Sequence, residues 1–231
     1  MIPVKKIKFC GFTRQNDIDA ALSLGVDYLG FVFYQASPRY IAPHQLAKLL
    51  ANSQLSTSLP VGLFVNHDAV FVHQAVTLSG VKILQFHGNE SPDFCDDLSQ
   101  QLGLPYWKAL HVTPDITPDG LLTLCHKYSR ADALLFDTVI PSAPHIWGGT
   151  GQTFDWQHLM HITQHAQHMP ALILSGGLTK HNVALGLELI QPWAVDVSSG
   201  IELQDTTTGQ LIKGVKDFTK MAEFIATVHK I

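Results

Sequence analysis

Short apolar runs alternate with longer amphipathic segments along almost the whole chain. Runs typical of buried strands occupy residues 6–10, 28–33, 61–65, 83–86, 106–110, 133–136, 171–174 and 194–197. Helical spacing, helix-starting prolines and closing glycines predict helices at residues 17–24, 43–51, 68–78, 92–102, 115–128, 155–168, 180–190 and 215–229. The pattern therefore predicts eight repeats of one strand and one helix, with no linker that divides the chain.

Eight regular βα units imply right-handed crossovers and a parallel sheet. At this length they favour an α/β fold with a single domain over residues 1–231, a closed (β/α)8 TIM barrel. A doubly wound open sheet is the alternative, but no GxGxxG turn follows the first strand. In a barrel, catalytic groups lie at the carboxyl ends of the strands and in the loops after them.

The amino-acid composition indicates which kinds of partner the protein can bind. Hydrophobic residues make up 46% of the 231, enough for a sizeable core, while charged residues make up only 15% and the net charge is −4. We therefore expect no nucleic-acid partner. No apolar run approaches the roughly 20 residues that span a bilayer, and residues 1–6 lack the apolar core of a signal peptide, so we expect a cytoplasmic protein without membrane contact. No exposed apolar stripe is apparent, so a monomer is expected rather than a dimer.

The three cysteines are Cys10, Cys95 and Cys125, which are far apart and contain no CxxC pair. They predict neither a disulfide framework nor a thiolate zinc site. Cys10 ends the first strand and is followed by a glycine. Taken alone it is typical of a buried core residue, yet the carboxyl end of a barrel strand is also where a catalytic thiol would lie.

Two further residues follow strands at the same end of the predicted barrel. Asp137 ends strand six after three apolar residues, so partial desolvation would suit it to general acid catalysis; a capping or loop aspartate is the alternative. Arg39 lies in the loop after strand two. Its guanidinium suits a carboxylate or a phosphate, although a loop arginine is also often simply solvated.

Glycine turns after the last strands predict a phosphate site, because glycines allow backbone N–H groups to approach a phosphate closely. The alternative for each turn is a tight bend with no ligand. The residues concerned are Ser175, Gly176 and Gly177 after strand seven, Ser199 and Gly200 after strand eight, and Gly149 and Gly151 after strand six.

Strand parity places Lys8 on the same face as Cys10, deeper in the barrel. A buried lysine needs a partner, and Asp196 on strand eight is the nearest carboxylate because strand eight closes against strand one; we predict an ion pair between them. Gln85 and His87 share a face on strand four, where they either line the pocket or fill space. Together with Arg39 and the glycine turns, Asp196, Gln85 and His87 form the predicted substrate-binding set.

Four histidines, at positions 158, 161, 165 and 168, share one stripe of the sixth helix. The stripe is offset from the apolar face of that helix, so it is predicted to be solvated surface, and no metal site is assigned.

Several motifs, in chain order, resemble the phosphoribosylanthranilate isomerase family. They are KFCGFTR at 8–14, GFVFY at 30–34, SPRYI at 37–41, VGLFVN at 61–66, LQFHG at 84–88, LFDT at 135–138, GGTGQTFDW at 148–156, LSGGL at 174–178 and VDVSSG at 195–200. The resemblance implies a barrel enzyme of tryptophan biosynthesis that needs no metal or organic cofactor. Its small phosphosugar substrate, N-(5-phosphoribosyl)anthranilate, would become 1-(o-carboxyphenylamino)-1-deoxyribulose 5-phosphate by an Amadori rearrangement.

Carried onto this chain, the resemblance makes Cys10 the general base, Asp137 the general acid and Arg39 the contact to the anthranilate carboxylate. Because an ordinary thiol with a pKa of about 8.5 is protonated at neutral pH, we expect Lys8 or nearby backbone dipoles to favour the thiolate.

Two departures from the family pattern stand out. Phe9 replaces a branched aliphatic residue and, by parity, points away from the substrate, and the segment 202–214 is longer than usual.

Three rival functions stay open: a barrel that binds flavin mononucleotide, the related histidine-pathway isomerase, and a binding protein without catalysis. The histidine-pathway enzyme usually uses carboxylates in both roles, so Cys10 weighs against it.

Overall fold

The computed structural model describes residues 5–55, 57–113, 115–138, 156–164 and 169–231. Eight parallel strands close into a barrel in chain order, and β1 pairs with both β2 and β8. The predicted TIM barrel is confirmed, and the closure rules out the open sheet. The barrel strands are Lys6–Cys10 (β1), Tyr28–Val32 (β2), Leu59–Phe64 (β3), Ile83–Phe86 (β4), Tyr106–Val112 (β5), Ala133–Thr138 (β6), Ala171–Leu174 (β7) and Ala194–Val197 (β8).

A helix follows each strand and packs on the outside of the barrel. The helices are Gln15–Ser23 (α1), Pro43–Ala51 (α2), Ala69–Ser79 (α3), Pro92–Leu102 (α4), Pro118–Lys127 (α5), Gln157–Gln164 (α6), Val183–Ile190 (α7) and Phe218–Val228 (α8). Side-chain caps fix several starts: Asp68 accepts from the Phe71 N–H before α3, and Ser91 accepts from the Phe94 N–H before α4. None of the helices within the described ranges is long and apolar enough to cross a bilayer.

The segment after β8 differs from the prediction. One turn of 3-10 helix at Ser199–Ile201 leads into an antiparallel hairpin of Glu202–Gln204 (β9) and Leu211–Lys216 (β10). The last helix was predicted from residue 215, but β10 extends to Lys216, and α8 begins only after Asp217, which caps it by accepting from the Lys220 N–H. The long segment noted in the sequence is therefore a hairpin, and the start predicted for α8 was wrong by three residues.

Most of the apolar core lies between the strands and the surrounding helices. Phe9 faces this outer layer and packs edge-on against Phe224 of α8, with ring centroids 6.1 Å apart, so the outward direction predicted for it is confirmed. Inside the barrel, charged and polar side chains lie among the apolar ones. Lys8, Gln85 and Asp196 are all buried there, each two residues before a residue of the barrel mouth.

Lys8 and Asp196 form the predicted buried ion pair. They are register partners across the closure between β1 and β8, and Lys8 Nζ donates to Asp196 Oδ1 at 2.9 Å. The Lys8 side chain is fully buried and that of Asp196 is 7% exposed. Burial disfavours the ammonium form, but the charge of Asp196 and the adjacent Cys10 thiol outweigh this and hold the pKa of Lys8 above its ordinary value. The two charges therefore depend on each other.

We expect Asp196→Asn to lower the free energy of unfolding by about 3 kcal/mol, because it leaves a buried ammonium without its counter-charge. The double variant Lys8→Met/Asp196→Leu removes both charges and should recover most of that loss. Urea unfolding of the two variants and the parent measures both values. Equal destabilisation by the double and the single variant would contradict the interdependence of the pair.

Candidate active site

The carboxyl end of the barrel encloses a cavity, hereafter the barrel-mouth cavity. Its lining residues come from the ends of the strands and the loops after them: Cys10, Val32, Tyr34, Ser37, Arg39, Leu63, Val65, His87, Asp137, Ser175, Asp196 and Ser198. Six of the predicted site residues, counting both proposed catalytic groups, thus meet in one place. They are Cys10, Asp137, Arg39, His87, Ser175 and Asp196.

Cys10 reaches this cavity because no side chain opposes it on β2. Its register partner is Gly30, where a Cβ atom would lie 2.7 Å from Cys10 Sγ and 3.0 Å from Lys8 Nζ. Immediately after Cys10 the chain turns at Gly11, whose φ of 86° favours glycine. The N–H groups of Gly11 and Phe12 both donate to the Gly30 carbonyl, so the turn is fixed to the neighbouring strand.

The pKa of the Cys10 thiol lies above its ordinary value. Burial raises its pKa above the ordinary value, and Asp196 adds to this; Lys8 and, more weakly, Lys216 act in the opposite direction without cancelling it. Lys8 therefore acts in the direction expected from the sequence, but it does not bring the pKa of Cys10 below its ordinary value. Desolvation outweighs the ammonium charge.

Asp137 is 3% exposed at the end of β6, and its carboxylate contacts a histidine. His87 Nε2 lies 3.1 Å from Asp137 Oδ2, and on the other side of the ring His87 Nδ1 lies 2.9 Å from Gln85 Nε2. Gln85 is fully buried and does not line the cavity. It supports His87 from below, and His87 in turn orients Asp137.

His111 packs edge-on against His87, with ring centroids 5.2 Å apart. Burial and the adjacent His87 lower the pKa of His111 to about 4, so its ring is neutral at physiological pH. Its Nε2 lies 2.9 Å from the His87 carbonyl, which can only accept, so Nε2 carries the proton. His111 thus adds no charge to the site near neutrality.

Arg39 is buried and held by Glu202, the first residue of β9. Its Nε donates to Glu202 Oε1 at 2.6 Å and its Nη2 to Oε2 at 2.8 Å, a bidentate pair. Oε1 also accepts from the Gly214 N–H at 2.8 Å. The arginine stem crosses Gly11, where a Cβ atom would collide with Arg39 Cδ. The hairpin therefore fixes the guanidinium at the edge of the barrel-mouth cavity.

Lys216 adds a second buried cation to this cluster. Its Nζ lies 3.6 Å from Glu202 Oε1 and donates to the Ser198 carbonyl at 3.1 Å. Burial lowers the pKa of Lys216 to about 8, with Arg39 adding to the effect and Glu202 opposing it. Burial opposes ionisation of Glu202 too, but Arg39 and Lys216 keep its pKa below the ordinary value. The Glu202 carboxylate thus lies beside two buried cations, Arg39 and Lys216. This edge of the barrel-mouth cavity therefore carries a net positive charge.

The glycine turns after β7 and β8 lie side by side. Gly176 and Gly177 have φ values of 83° and 62°, and a Cβ atom on Gly200 would collide with the Leu178 carbonyl. Ser199 and Gly200 line a second cavity, which the loop after β7, the hairpin and α8 also border, and are not among the residues that line the barrel-mouth cavity. Two other predicted site residues, Gly149 and Gly151, lie outside the described residues.

No cluster of three or more metal-binding side chains occurs in the described part of the chain. Of the histidine stripe on α6, His161 is partly exposed and lies 3.5 Å from Asp119 of α5. His165 and His168 lie outside the described residues, and so does the side chain of His158.

Sequence reasoning missed two polar groups of the site. Ser198 lines the barrel-mouth cavity, and its buried hydroxyl has no hydrogen-bond partner within the described structure. Period-two alternation from Asp196 would have selected Ser198. Glu202 was recognised only as the start of a long segment. No local pattern joins it to Arg39, 163 positions away.

The sequence of this chain is similar to those of one known protein family. The family model described as N-(5'phosphoribosyl)anthranilate (PRA) isomerase matches residues 7–227. A protein of that name from Nitrosospira multiformis is 40% identical over 228 residues, covering 96% of each chain. One from Herminiimonas arsenicoxydans is 39% identical and covers 99% of this chain and 95% of its own.

The fold of this chain is also similar to those of solved structures from the same family. The phosphoribosyl anthranilate isomerase of Thermotoga maritima superposes with a TM-score of 0.81 at 28% identity, over 98% of this chain and 100% of its own. A phosphoribosyl anthranilate isomerase in complex with reduced 1-(o-carboxyphenylamino)-1-deoxyribulose 5-phosphate superposes with a TM-score of 0.78 at 26% identity, with the same coverage.

Proposed function

Because the chain belongs to the N-(5'-phosphoribosyl)anthranilate isomerase family, we propose that its barrel-mouth cavity carries out the isomerisation with Asp137 as general acid and Cys10 as general base. The chain is an isomerase of tryptophan biosynthesis that acts on a small phosphosugar. The observation that carries the assignment is that a carboxyl group from β6 and a thiol from β1 line one cavity. They can therefore reach one sugar from two sides.

The chemistry needs an acid first. Asp137 protonates the ribose ring oxygen, the bond from that oxygen to C1′ breaks, and the anthranilate nitrogen lone pair forms a cationic Schiff base. Cys10 then removes the proton from C2′ to give an enolamine, which tautomerises to the ketone. Each such group typically contributes 10² to 10⁴ in rate.

The Schiff base also helps to explain how a neutral thiol becomes a base. Burial holds the pKa of Cys10 above its ordinary value in the free enzyme. The positive charge of the Schiff base forms beside the thiol only after ring opening, and together with Lys8 it favours the thiolate. The base is therefore activated by the first step of the reaction, when its proton must leave.

The remaining groups suit the two ends of the substrate. Arg39, fixed by Glu202 at a positively charged edge, suits the anthranilate carboxylate. The turns at Ser175–Gly177 and Ser199–Gly200 suit the phosphate, with Gly149 and Gly151 as a further wall. The unpartnered hydroxyl of Ser198 suits a sugar oxygen, and Asp196 borders the same space.

We further propose that the enzyme is cytoplasmic and works as a monomer, although the Thermotoga maritima relative is described as dimeric. Among the described residues, the most exposed apolar side chains are spread over several helices: Val70 and Leu78 on α3, Leu185 on α7 and Phe218 on α8. Sedimentation equilibrium should give a mass of about 25.4 kDa. A mass that is twice this at micromolar concentration would contradict the proposal.

Replacing either proposed catalytic group should depress turnover without abolishing binding. With freshly made phosphoribosylanthranilate, followed by the loss of its anthranilate fluorescence, we expect Cys10→Ala and Asp137→Asn each to lower kcat by about 10² to 10⁴ with KM changed little. Cys125→Ala, a buried cysteine on α5, serves as a matched control. Normal turnover by Cys10→Ala would reject the assigned base.

Glu202→Gln should weaken substrate binding while leaving the rate of the chemical step nearly unchanged. The amide keeps the shape but cannot hold the guanidinium bidentately, so Arg39 loses its fixed position. We expect KM to rise about tenfold or more with kcat nearly unchanged, because hydrogen bonds between charged groups are the strong ones. Glu188→Gln, an exposed change on α7, is the control. Equal loss in kcat with KM unaffected would contradict a role in positioning Arg39.

A further inference from the structure

Lys108 is a buried lysine on the outer face of the barrel wall. Its neighbours on β5 alternate, so that Tyr106 and Leu110 pack with the helices while Trp107 and Ala109 pack inside the barrel. Lys108 shares the parity of the outward pair and is 2% exposed. It therefore lies behind the wall, away from the barrel-mouth cavity, and the chemistry proposed above does not use it.

The ammonium group of Lys108 has an acceptor for each of its three hydrogens. Its Nζ lies 2.6 Å from the Gly88 carbonyl, 3.0 Å from Glu90 Oε2 and 3.4 Å from the Phe86 carbonyl. The two carbonyls belong to the residues on either side of His87. One buried cation thus holds the main chain both before and after that histidine.

Glu90 completes the arrangement from the loop between β4 and α4. It is 6% exposed, its Oε2 accepts from the Gly88 N–H at 2.9 Å, and its Oε1 accepts from the Asn66 N–H at 2.8 Å. Asn66 follows β3 and has a φ of 52°, a left-handed conformation that is uncommon outside glycine. The Glu90 carboxylate therefore joins the loops after β3 and β4 to the Lys108 ammonium group.

The backbone groups of His87 itself are also bonded. Its N–H donates to the Phe64 carbonyl at 2.8 Å, and its carbonyl accepts from His111 Nε2 at 2.9 Å. On the inner side of the wall, Nε2 of the His87 ring lies 3.1 Å from Asp137 Oδ2. A continuous set of contacts therefore runs from Lys108, through the main chain around His87, to the proposed acid.

We propose that Lys108 and Glu90 are positioning residues for the proposed general acid. From behind the barrel wall they fix the main chain of His87, and the His87 ring in turn orients Asp137. The inference rests on the proposed function, in which Asp137 gives up the proton. An acid must lie within hydrogen-bonding reach of the atom that it protonates, and a displacement of about 1 Å can lower a rate about 10²-fold.

Lys108→Met removes the charge and the three donors but keeps an unbranched side chain. We expect it to lower kcat for phosphoribosylanthranilate by about 10- to 100-fold with KM within about twofold, because the acid is displaced while the binding groups are not. Glu90→Gln removes the counter-charge and should act in the same direction. Tyr106→Phe is the matched control. It removes a hydrogen bond to Asp96 at 2.6 Å from the same face of the same strand, and should leave kcat within about twofold.

A double-mutant cycle separates positioning from simple stabilisation. In a His87→Asn background no ring is left to displace, so Lys108→Met should lower kcat by less than about twofold further. Its effect on urea unfolding should be the same with and without His87. Additive effects on kcat, a rise in KM in place of the fall in kcat, or an unchanged kcat in folded Lys108→Met and Glu90→Gln proteins would overturn the inference.

The position of His87 can also be followed without activity. The NMR resonances of its ring, assigned among the 13 histidines by their loss in His87→Asn, should shift in Lys108→Met and stay unchanged in Tyr106→Phe. Unchanged resonances in Lys108→Met would overturn the inference alone. Shifted resonances together with normal turnover by Asp137→Asn would instead reject the proposed role of Asp137 and leave the fixing of His87 intact.

Discussion

The ion pair between Lys8 and Asp196 is the interaction on which the site depends. It lies where the first and last strands of the barrel meet, so the closure of the sheet brings together two residues 188 positions apart in the chain. A buried ammonium or a buried carboxylate would each be costly alone. Paired, they allow a polar layer inside the barrel directly beneath Cys10, and Gly30 leaves the space that the layer needs.

The same principle holds across the barrel-mouth cavity. The functional side chains around it are held by partners within the protein: Asp137 by His87, and Arg39 by Glu202. These described side chains are therefore held in position by the protein itself. The exceptions are informative. Ser198 Oγ and Gln85 Oε1 are buried without partners in the described structure; Ser198 lines the cavity, while Gln85 lies beside His87.

Much of the fold was predictable because local signals agreed with the global topology. Pro43 and Pro92 marked the starts of α2 and α4 correctly. The Lys8–Asp196 pair followed from two rules, the alternation of side chains along a strand and the neighbourhood of the first and last strands in a closed barrel. Both rules depend only on backbone geometry, so a sequence is enough to apply them.

The features that sequence could not provide depend on long-range packing and on balances of opposing effects. The hairpin that brings Glu202 to Arg39 follows no periodicity of the barrel, so neither the pair nor the late start of α8 was visible. The protonation state of Cys10 depends on whether burial or the Lys8 charge is larger. The neighbouring residues show whether each effect raises or lowers the pKa of Cys10. How deeply the thiol is buried decides whether the pKa rises or falls overall.

Lys8 and Asp196 act in opposite directions on the pKa of Cys10, which burial raises. The most direct measurement is the pKa of Cys10 in the parent and in Asp196→Asn, from the ultraviolet absorbance of the thiolate with Cys10→Ser variants as the baseline. Removing the carboxylate leaves the Lys8 ammonium without its partner, so the thiolate should take that place and the pKa of Cys10 should fall. A pKa that stays unchanged or rises in a folded Asp196→Asn protein would contradict the account.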